Sequence, residues 1–323
     1  MLVLLVIVCV FLSGCSEKKQ KVYRVGILVG FAQLGDAANG FKANMIELGY
    51  IEGKNIIYDM QIANDDQTNT QEIIKKFMAD KLDLIFVFPL PTVLRTKAAI
   101  QGTNIPIVFA ISTIEGNNLV ESVRQPGGNI TGVRNPGPEL TVKRLELLLE
   151  IAPQTKRVWI AYDKNYPTNQ ITFNMLRPTA KSLGVELVEV PCSSITDIQA
   201  DLSARAQAAN IGIDAMLTLN EALTGASATY ALINKFAAEH KIPLAGLTNS
   251  QVHQGSLFTF FPNEYKCGQL AATLADKILK GAPAGTIPVV TPEADLRINY
   301  KRAQELGLNV SEGLLSRASE IIH

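Results

Sequence analysis

Aromatic rings, amides and hydroxyls gather at six places along this 323-residue chain, each just past the end of an apolar run. In the first half these are residues 31–36, with Phe31, Gln33 and Leu34; residues 88–92, with Phe88, Leu90, Pro91 and Thr92; and residues 112–115, with Ser112 and Thr113. In the second half Tyr162 precedes the stretch 163–169, which holds Asn165; Asn220 and Glu221 open 220–224; and Thr248 and Asn249 open 248–251. Rigid apolar faces beside a few oriented hydrogen-bonding groups are what a small-molecule pocket needs. Three carboxylates on these stretches, Asp36, Asp163 and Glu221, could complement an ammonium group. Asp36 suits a helix cap better than ligand contact, which leaves Glu221 as the stronger candidate for ligand contact. Each group also has a plainer reading, Phe88 as a core ring and the loop amides and hydroxyls as turn formers. The joint pattern is what points to a site.

Catalytic signatures are missing. The chain has no Gly-x-Ser-x-Gly elbow, no Gly-x-x-x-x-Gly-Lys-Ser/Thr phosphate loop and no Gly-x-Gly-x-x-Gly fingerprint. A doubly wound enzyme using Glu221 or Asp163 as general base is the enzymatic alternative, but such a base needs a neighbouring acid or nucleophile, and none is recognisable. His240, His253 and His323 are scattered, so neither a metal site nor a cofactor is expected. Thirty basic and thirty acidic residues cancel, which removes the electrostatic footprint of a nucleic-acid binder.

The elements that must position these loops come as a series told twice. Arg24-Val25-Gly26-Ile27-Leu28 is answered by Arg157-Val158-Trp159-Ile160-Ala161, and Leu48-Gly49 by Leu183-Gly184. Asp83-Leu84-Ile85-Phe86 is answered by Asp214-Ala215-Met216-Leu217, and Ile105-Pro106-Ile107-Val108 by Ile242-Pro243-Leu244-Ala245. The offsets, 133, 135, 131 and 137 residues, differ only by loop-length variation. In each series strands of Val, Ile and Leu alternate with helical patterns such as Asp36–Leu48, so the fold class is α/β: two doubly wound parallel-sheet lobes. Ligands of such sheets lie beyond the carboxyl ends of the strands, which is where the six loops sit. Helices starting there turn free N–H groups toward the cleft and favour an anionic ligand group.

Pro126-Gly127-Gly128-Asn129 and Asn135-Pro136-Gly137-Pro138 mark breaks, and the first passage between lobes is expected at Asn135. The third helix is expected over residues 92–100, the next over 140–151, a later one over 263–280, and a last strand and short helix over 296–306. The domain reading is a signal peptide over 1–14, a tether over 15–21, lobe 1 over 22–133 plus about 263–288, and lobe 2 over 134–262 plus about 289–323.

Leu2 to Leu12 is an uncharged apolar run of eleven residues, well short of the ~20 that span a bilayer, and it reads as a signal-peptide core. Leu12-Ser13-Gly14-Cys15 followed by Ser16-Glu17-Lys18-Lys19-Gln20 resembles a bacterial lipobox, in which Cys15 is lipidated. No Lys or Arg precedes the apolar run, unlike the usual signal. Cys192 and Cys267 fall in different halves and read as buried thiols.

These residues make the chain similar, over about 22–308, to the substrate-binding lipoproteins of ABC importers of the tryptophan/tyrosine type. Its most specific stretches are Glu47-Leu48-Gly49-Tyr50-Ile51-Glu52-Gly53-Lys54-Asn55, Ile105-Pro106-Ile107-Val108-Phe109-Ala110 and Pro126-Gly127-Gly128-Asn129-Ile130-Thr131-Gly132-Val133. The resemblance implies a type I periplasmic-binding-protein fold with three crossover segments, a small organic ligand in the cleft, and delivery to permease and ATPase subunits. It also implies a monomer lipid-anchored outside the cytoplasmic membrane or in the periplasm. The expected ligand is an aromatic or branched amino acid or a related aromatic compound. Where the family carries Gly-Thr-Pro this chain has Pro89-Leu90-Pro91; Thr-Asp-Asn appears as Asn220-Glu221-Ala222, Thr-Asp-Pro as Thr113-Ile114-Glu115, and an Asp near the last crossing as Asn263. A ligand-sensing ectodomain that partners a membrane kinase would share these lobes.

Overall fold

A computed structural model of the chain describes residues 21–323 apart from residues 65 and 167. The apolar run 2–12 and Cys15 lie outside the described residues. In chain order the first sheet holds β1 (Tyr23–Val29), β2 (Ile56–Ile62), β3 (Leu84–Phe88), β4 (Ile107–Ser112) and β5 (Ile130–Arg134). Their spatial order is β2-β1-β3-β4-β5, with every pairing parallel. The second sheet holds β6 (Arg157–Asp163), β7 (Glu186–Cys192), β8 (Ala215–Leu217), β9 (Leu244–Gly246), β10 (Phe258–Pro262), β11 (Ala294–Asn299) and β12 (Glu320–Ile322). Here the order is β12-β11-β10-β9-β8-β6-β7, and only β10 and β11 run antiparallel.

Helices cover both faces of each sheet, which is why β3 and β4 are apolar without alternation and wholly buried. One face of the first sheet packs Phe41, Phe86 and Phe88 beneath the helices Asp36–Glu47 and Glu264–Leu279. The other packs Phe77, Ile85 and Phe109 against the helices Gln67–Ala79 and Leu90–Ala99. In the second lobe, Leu148, Ile160 and Phe173 fill one face and Trp159, Ile198 and Tyr230 the other.

The chain passes between the lobes three times: from β5 into the helix Gly137–Ile151, from β10 into the helix Glu264–Leu279, and from residues 284–290 into β11. The stretch 284–290 runs beside β5, where Thr131 Oγ1 donates to the Ile287 carbonyl at 2.7 Å and Val290 N to the Gly132 carbonyl at 3.0 Å. The second passage returns the helix Glu264–Leu279 to the first lobe, across the helix Asp36–Glu47. That crossing is close enough to require glycine on both sides. A Cβ on Gly40 would lie 2.0 Å from the Tyr265 carbonyl oxygen, and one on Gly268 1.9 Å from that of Ala37. Asn44 Nδ2 donates to the Gln269 carbonyl at 2.8 Å and the Tyr50 hydroxyl to Asp276 Oδ1 at 3.0 Å, both fixing the helix along its length.

Several boundaries differ from the sequence expectation. The third helix starts at Leu90 rather than residue 92, because Pro91 stands in the first turn, where a missing N–H costs nothing. By the same rule the helix expected at 140–151 begins at Gly137, with Pro138 at its start. The short helix Glu312–Leu315 and strand β12 were not anticipated, since three- and four-residue elements carry no periodicity to read. Cys192 and Cys267 are free and buried, and burial pushes their thiols up to about 11 and about 12.

Gly268→Ala should lower stability by about 1–3 kcal/mol, read as a drop in the denaturation midpoint. Gly313→Ala, where an added methyl meets nothing within 4 Å, should leave that midpoint nearly unchanged. Equal effects from the two substitutions would overturn the close-crossing account.

Candidate functional site

The carboxyl ends of β1, β3 and β4 face those of β6, β8 and β9 across a cavity with about 590 Å³ of empty space, mouth included. The first lobe contributes Phe31, Gln33, Leu34, Pro89, Leu90, Ile111 and Thr113. The second contributes Tyr166, Asn220, Glu221, Ala222, Gly225, Leu247 and Thr248, and Phe261 enters from β10 just before the second passage. Outward, the space continues into a wider groove between Phe31, Gln33 and Asn64 on one side and Asp163, Ser193 and Ala222 on the other. The wall is apolar over most of its extent, with hydroxyl, amide and carboxyl groups interspersed.

Local sequence explains how each lobe presents its groups. Beyond β1 the chain makes a 3-10 turn, Ala32–Leu34, which separates Phe31 from the helix that starts at Asp36. Asp36 is the first helical residue, not its cap; Gly35 holds the cap position, and Asp36 Oδ1 accepts from Asn39 Nδ2 at 3.1 Å. Beyond β3, Pro89 and Leu90 turn directly into a helix, so Leu90 is at the wall. At the end of β4 the pairing with β5 slips between Phe109 and Ser112, and Ile111 takes φ of +51°. A β-branched residue in the left-handed region is strained by roughly 1–3 kcal/mol, and such a bulge re-aims side chains. Here Ile111 belongs to the cavity wall.

Glu221 organises the second lobe's side. Its Oε2 accepts from Asp163 N at 2.8 Å and from Asn169 Nδ2 at 2.7 Å, and its Oε1 from Thr224 N at 3.3 Å. One carboxylate thereby ties the end of β6, the helix Asn169–Ser182 and the short helix Ala222–Gly225. It is 5% exposed, and burial pushes its carboxyl above the usual carboxylate range, outweighing the three donors that pull it down. Asp163 does turn chemistry: its Oδ1 accepts from Asn165 N at 2.9 Å.

Of the residues singled out from sequence, the cavity brings together Phe31, Gln33, Leu34, Leu90, Thr113, Asn220, Glu221 and Thr248. The others stand elsewhere. Phe88 is wholly buried and packs on Phe86 at 4.9 Å between ring centres, a core ring. Tyr162 packs on Phe173 at 4.6 Å in the second lobe's interior face. Pro91 and Thr92 lie on the helix past the wall, with Thr92 beneath Gly30, where a Cβ would sit 2.1 Å from its hydroxyl. Ser112 turns its hydroxyl onto the Ala110 carbonyl at 2.9 Å. Asn165 is exposed on its turn. Asn135, at the first passage, is 2% exposed with neither side-chain polar atom hydrogen-bonded. Asn249 donates to Glu264 Oε2 at 2.7 Å, linking the second lobe to the returning helix, and Asn263 caps that helix by accepting from Lys266 N at 3.0 Å.

Tyr166, Ile111, Leu247 and Phe261 were missed. Tyr166 sits in a loop that had been singled out, but as one aromatic among polar neighbours it carried no separate signal. Ile111 and Leu247 look like strand interior, and only the bulge and the short β9 bring them to the wall.

Residues 25–322 match the family described as ABC transporter substrate binding protein. The chain is 30% identical over 317 residues to a tyrosine-binding protein of Clostridioides difficile, across 92% of this chain and 88% of that one. It superposes at a TM-score of 0.82 on an ABC domain from Streptococcus pneumoniae in complex with L-Trp, at 22% identity over 94% of this chain and all of that one. A ligand-free, open substrate binding protein with adhesive properties from Clostridium difficile gives 0.71, at 26% identity over 93% and 99% of the two chains.

The raised Glu221 carboxyl has a readable consequence. The folded state holds this proton more tightly than the unfolded chain, whose glutamate titrates at about 4.3. Its contribution therefore favours folding below that value and is lost as pH rises through the folded value. The stability of wild type minus that of Glu221→Gln should rise as pH falls across that window, measured by chemical denaturation. A difference that does not change with pH would show that Glu221 titrates normally.

Proposed function

We propose that this chain, which belongs to the ABC transporter substrate binding protein family, captures an aromatic amino acid between its lobes and hands it to a membrane permease. One observation carries the reading: a single cavity built from strand ends of both lobes, with Phe31 from one and Tyr166 from the other among mostly apolar walls. Aromatic side chains supply a large apolar contact with defined geometry. Thr113, Asn220 and Thr248 would read the ligand's polar end. The tyrosine-binding relative supports this ligand class over sugars.

The bodies that close are lobe 1, residues 22–133 plus about 263–288, and lobe 2, residues 134–262 plus about 289–323. Closure is a hinge motion about the three passages. Arg134 links two of them: it ion-pairs with Glu115 of the first lobe, lies 3.6 Å from Glu139 at the start of the second lobe's first helix, and donates to Thr291 Oγ1 at 2.9 Å. A ligand shifts the open–closed balance only by its preference for the closed form, and micromolar capture corresponds to about 8 kcal/mol.

We also propose that capture proceeds without chemistry, since both Glu221 oxygens are engaged by N–H donors. The protein would act as a monomer outside the cytoplasmic membrane, held there by lipid on Cys15 and by its permease and ATPase partners. Among the described residues no helix is long and apolar enough to cross a membrane.

Titration calorimetry with L-tyrosine, L-tryptophan and L-phenylalanine should give saturable heat, and Phe31→Ala should weaken the tightest of them about tenfold, or about 1.4 kcal/mol. Tight binding of a sugar with no heat from the three amino acids would refute the ligand class.

A further inference from the structure

Arg144 lies on the helix Gly137–Ile151 and is wholly buried. Its Nη1 donates to the carbonyls of Thr218 at 2.8 Å and Gly246 at 3.0 Å, and its Nη2 to Thr141 Oγ1 at 3.2 Å. Nε has no partner. No carboxylate among the described residues pairs with it, and burial alone pulls its pKa down to about 9, so it stays charged at neutral pH. A buried charge is retained only where dipoles or an opposite charge offset the lost hydration. The carbonyls do part of this; none of the hydrogen-bond partners of Arg144 is an anion.

The position of those carbonyls gives the charge a use. Gly246 ends β9, and Leu247 and Thr248 follow it into the cavity wall. Thr218 follows β8, with Asn220 two residues on. One guanidinium thus bolts both second-lobe loops from beneath. Thr141 extends the bolt: its hydroxyl donates to the Gly137 carbonyl at 2.7 Å, and a Cβ on Gly137 would meet Asn220 Nδ2 at 2.7 Å and Thr113 Oγ1 at 3.2 Å.

We infer that Arg144 is a positioning and specificity-determining residue, which holds the loops after β8 and β9 in register and biases the cavity toward a ligand bearing a carboxylate. The inference rests on this cavity being the capture site. In a low-dielectric interior the field of an uncompensated charge reaches through a loop to a ligand on its other side. A ligand carboxylate would supply the counter-charge that the direct partners of Arg144 do not.

Calorimetry in slightly acidic buffer, where acid and amide both keep their ammonium, separates charge from shape. Wild type should prefer L-tyrosine to L-tyrosinamide, or L-leucine to L-leucinamide, by at least about tenfold. Arg144→Met should bring that ratio toward one, whereas Thr141→Val, which loosens the bolt and keeps the charge, should weaken acid and amide alike. A wild-type ratio near one overturns the inference without any variant, so it stays testable if Arg144→Met fails to fold. A folded Arg144→Met protein with the wild-type ratio overturns it too. Preference for leucine over leucinamide with no tyrosine binding would refute the aromatic reading and keep this one; equal binding of tyrosine and its amide would do the reverse.

Discussion

The site depends on a contact between two backbones. Gly40 against the Tyr265 carbonyl and Gly268 against that of Ala37 let the helix Glu264–Leu279 lie flush on the helix Asp36–Glu47. That return gives the first lobe a segment from late in the chain, closing a face whose core includes Phe41, Phe86 and Phe88. Without it, one face of a five-stranded parallel sheet would be incompletely covered, and parallel sheets are stable only with both faces covered. The same return threads the chain between the lobes a second time. Three passages, rather than one linker, hold the strand ends of one lobe opposite those of the other while leaving a hinge.

Around the cleft, polar groups are arranged about two buried titratable side chains in different protonation regimes. Glu221 is pushed toward its neutral form and accepts from N–H groups at the end of β6 and at the starts of two helices. Arg144 stays cationic and consumes carbonyls at the ends of β8 and β9. Both satisfy backbone groups that parallel strands leave exposed at their carboxyl ends, where ladder bonding stops. The second lobe's loops at the cavity are thus held by the protein's own hydrogen bonds.

The repeated series at Arg24 and Arg157, at Asp83 and Asp214, and at Ile105 and Ile242 made the two lobes legible, because strands buried on both faces leave unbroken apolar runs. The loops at their ends followed from the strand direction. What could not be read was side-chain direction within those loops. Phe88 and Phe31 have the same composition and similar positions, yet Phe88, as the last residue of β3, points into a core face, while Phe31 lies beyond β1 and reaches the cavity. Tyr162 and Tyr166 divide in the same way, four residues apart. Glu221 was legible as a group at the site but not as the tie between β6 and the helix Asn169–Ser182, since its partners Asp163 and Asn169 are 58 and 52 residues distant. Long-range hydrogen bonding leaves no spacing to recognise.

Ile111 shows how fold and site trade against each other. Its backbone sits where a β-branched residue is least at ease, and a flat continuation of β4 would remove the strain. Such a continuation would also keep Ile111 paired with β5 and move Ser112 and Thr113 by one register step, sending Thr113 to the opposite face. The bulge instead puts Ile111 and Thr113 on the cavity wall together and leaves Ser112 paired with Arg134. Arg134 is the residue that reaches Glu115, Glu139 and Thr291 at the passages. A local strain of this size persists only when surrounding structure over-determines it, and here the surroundings are the passages between the lobes on one side and the cavity wall on the other. The strained residue therefore couples the two: the register that shapes the wall also aims the arginine that spans the lobes.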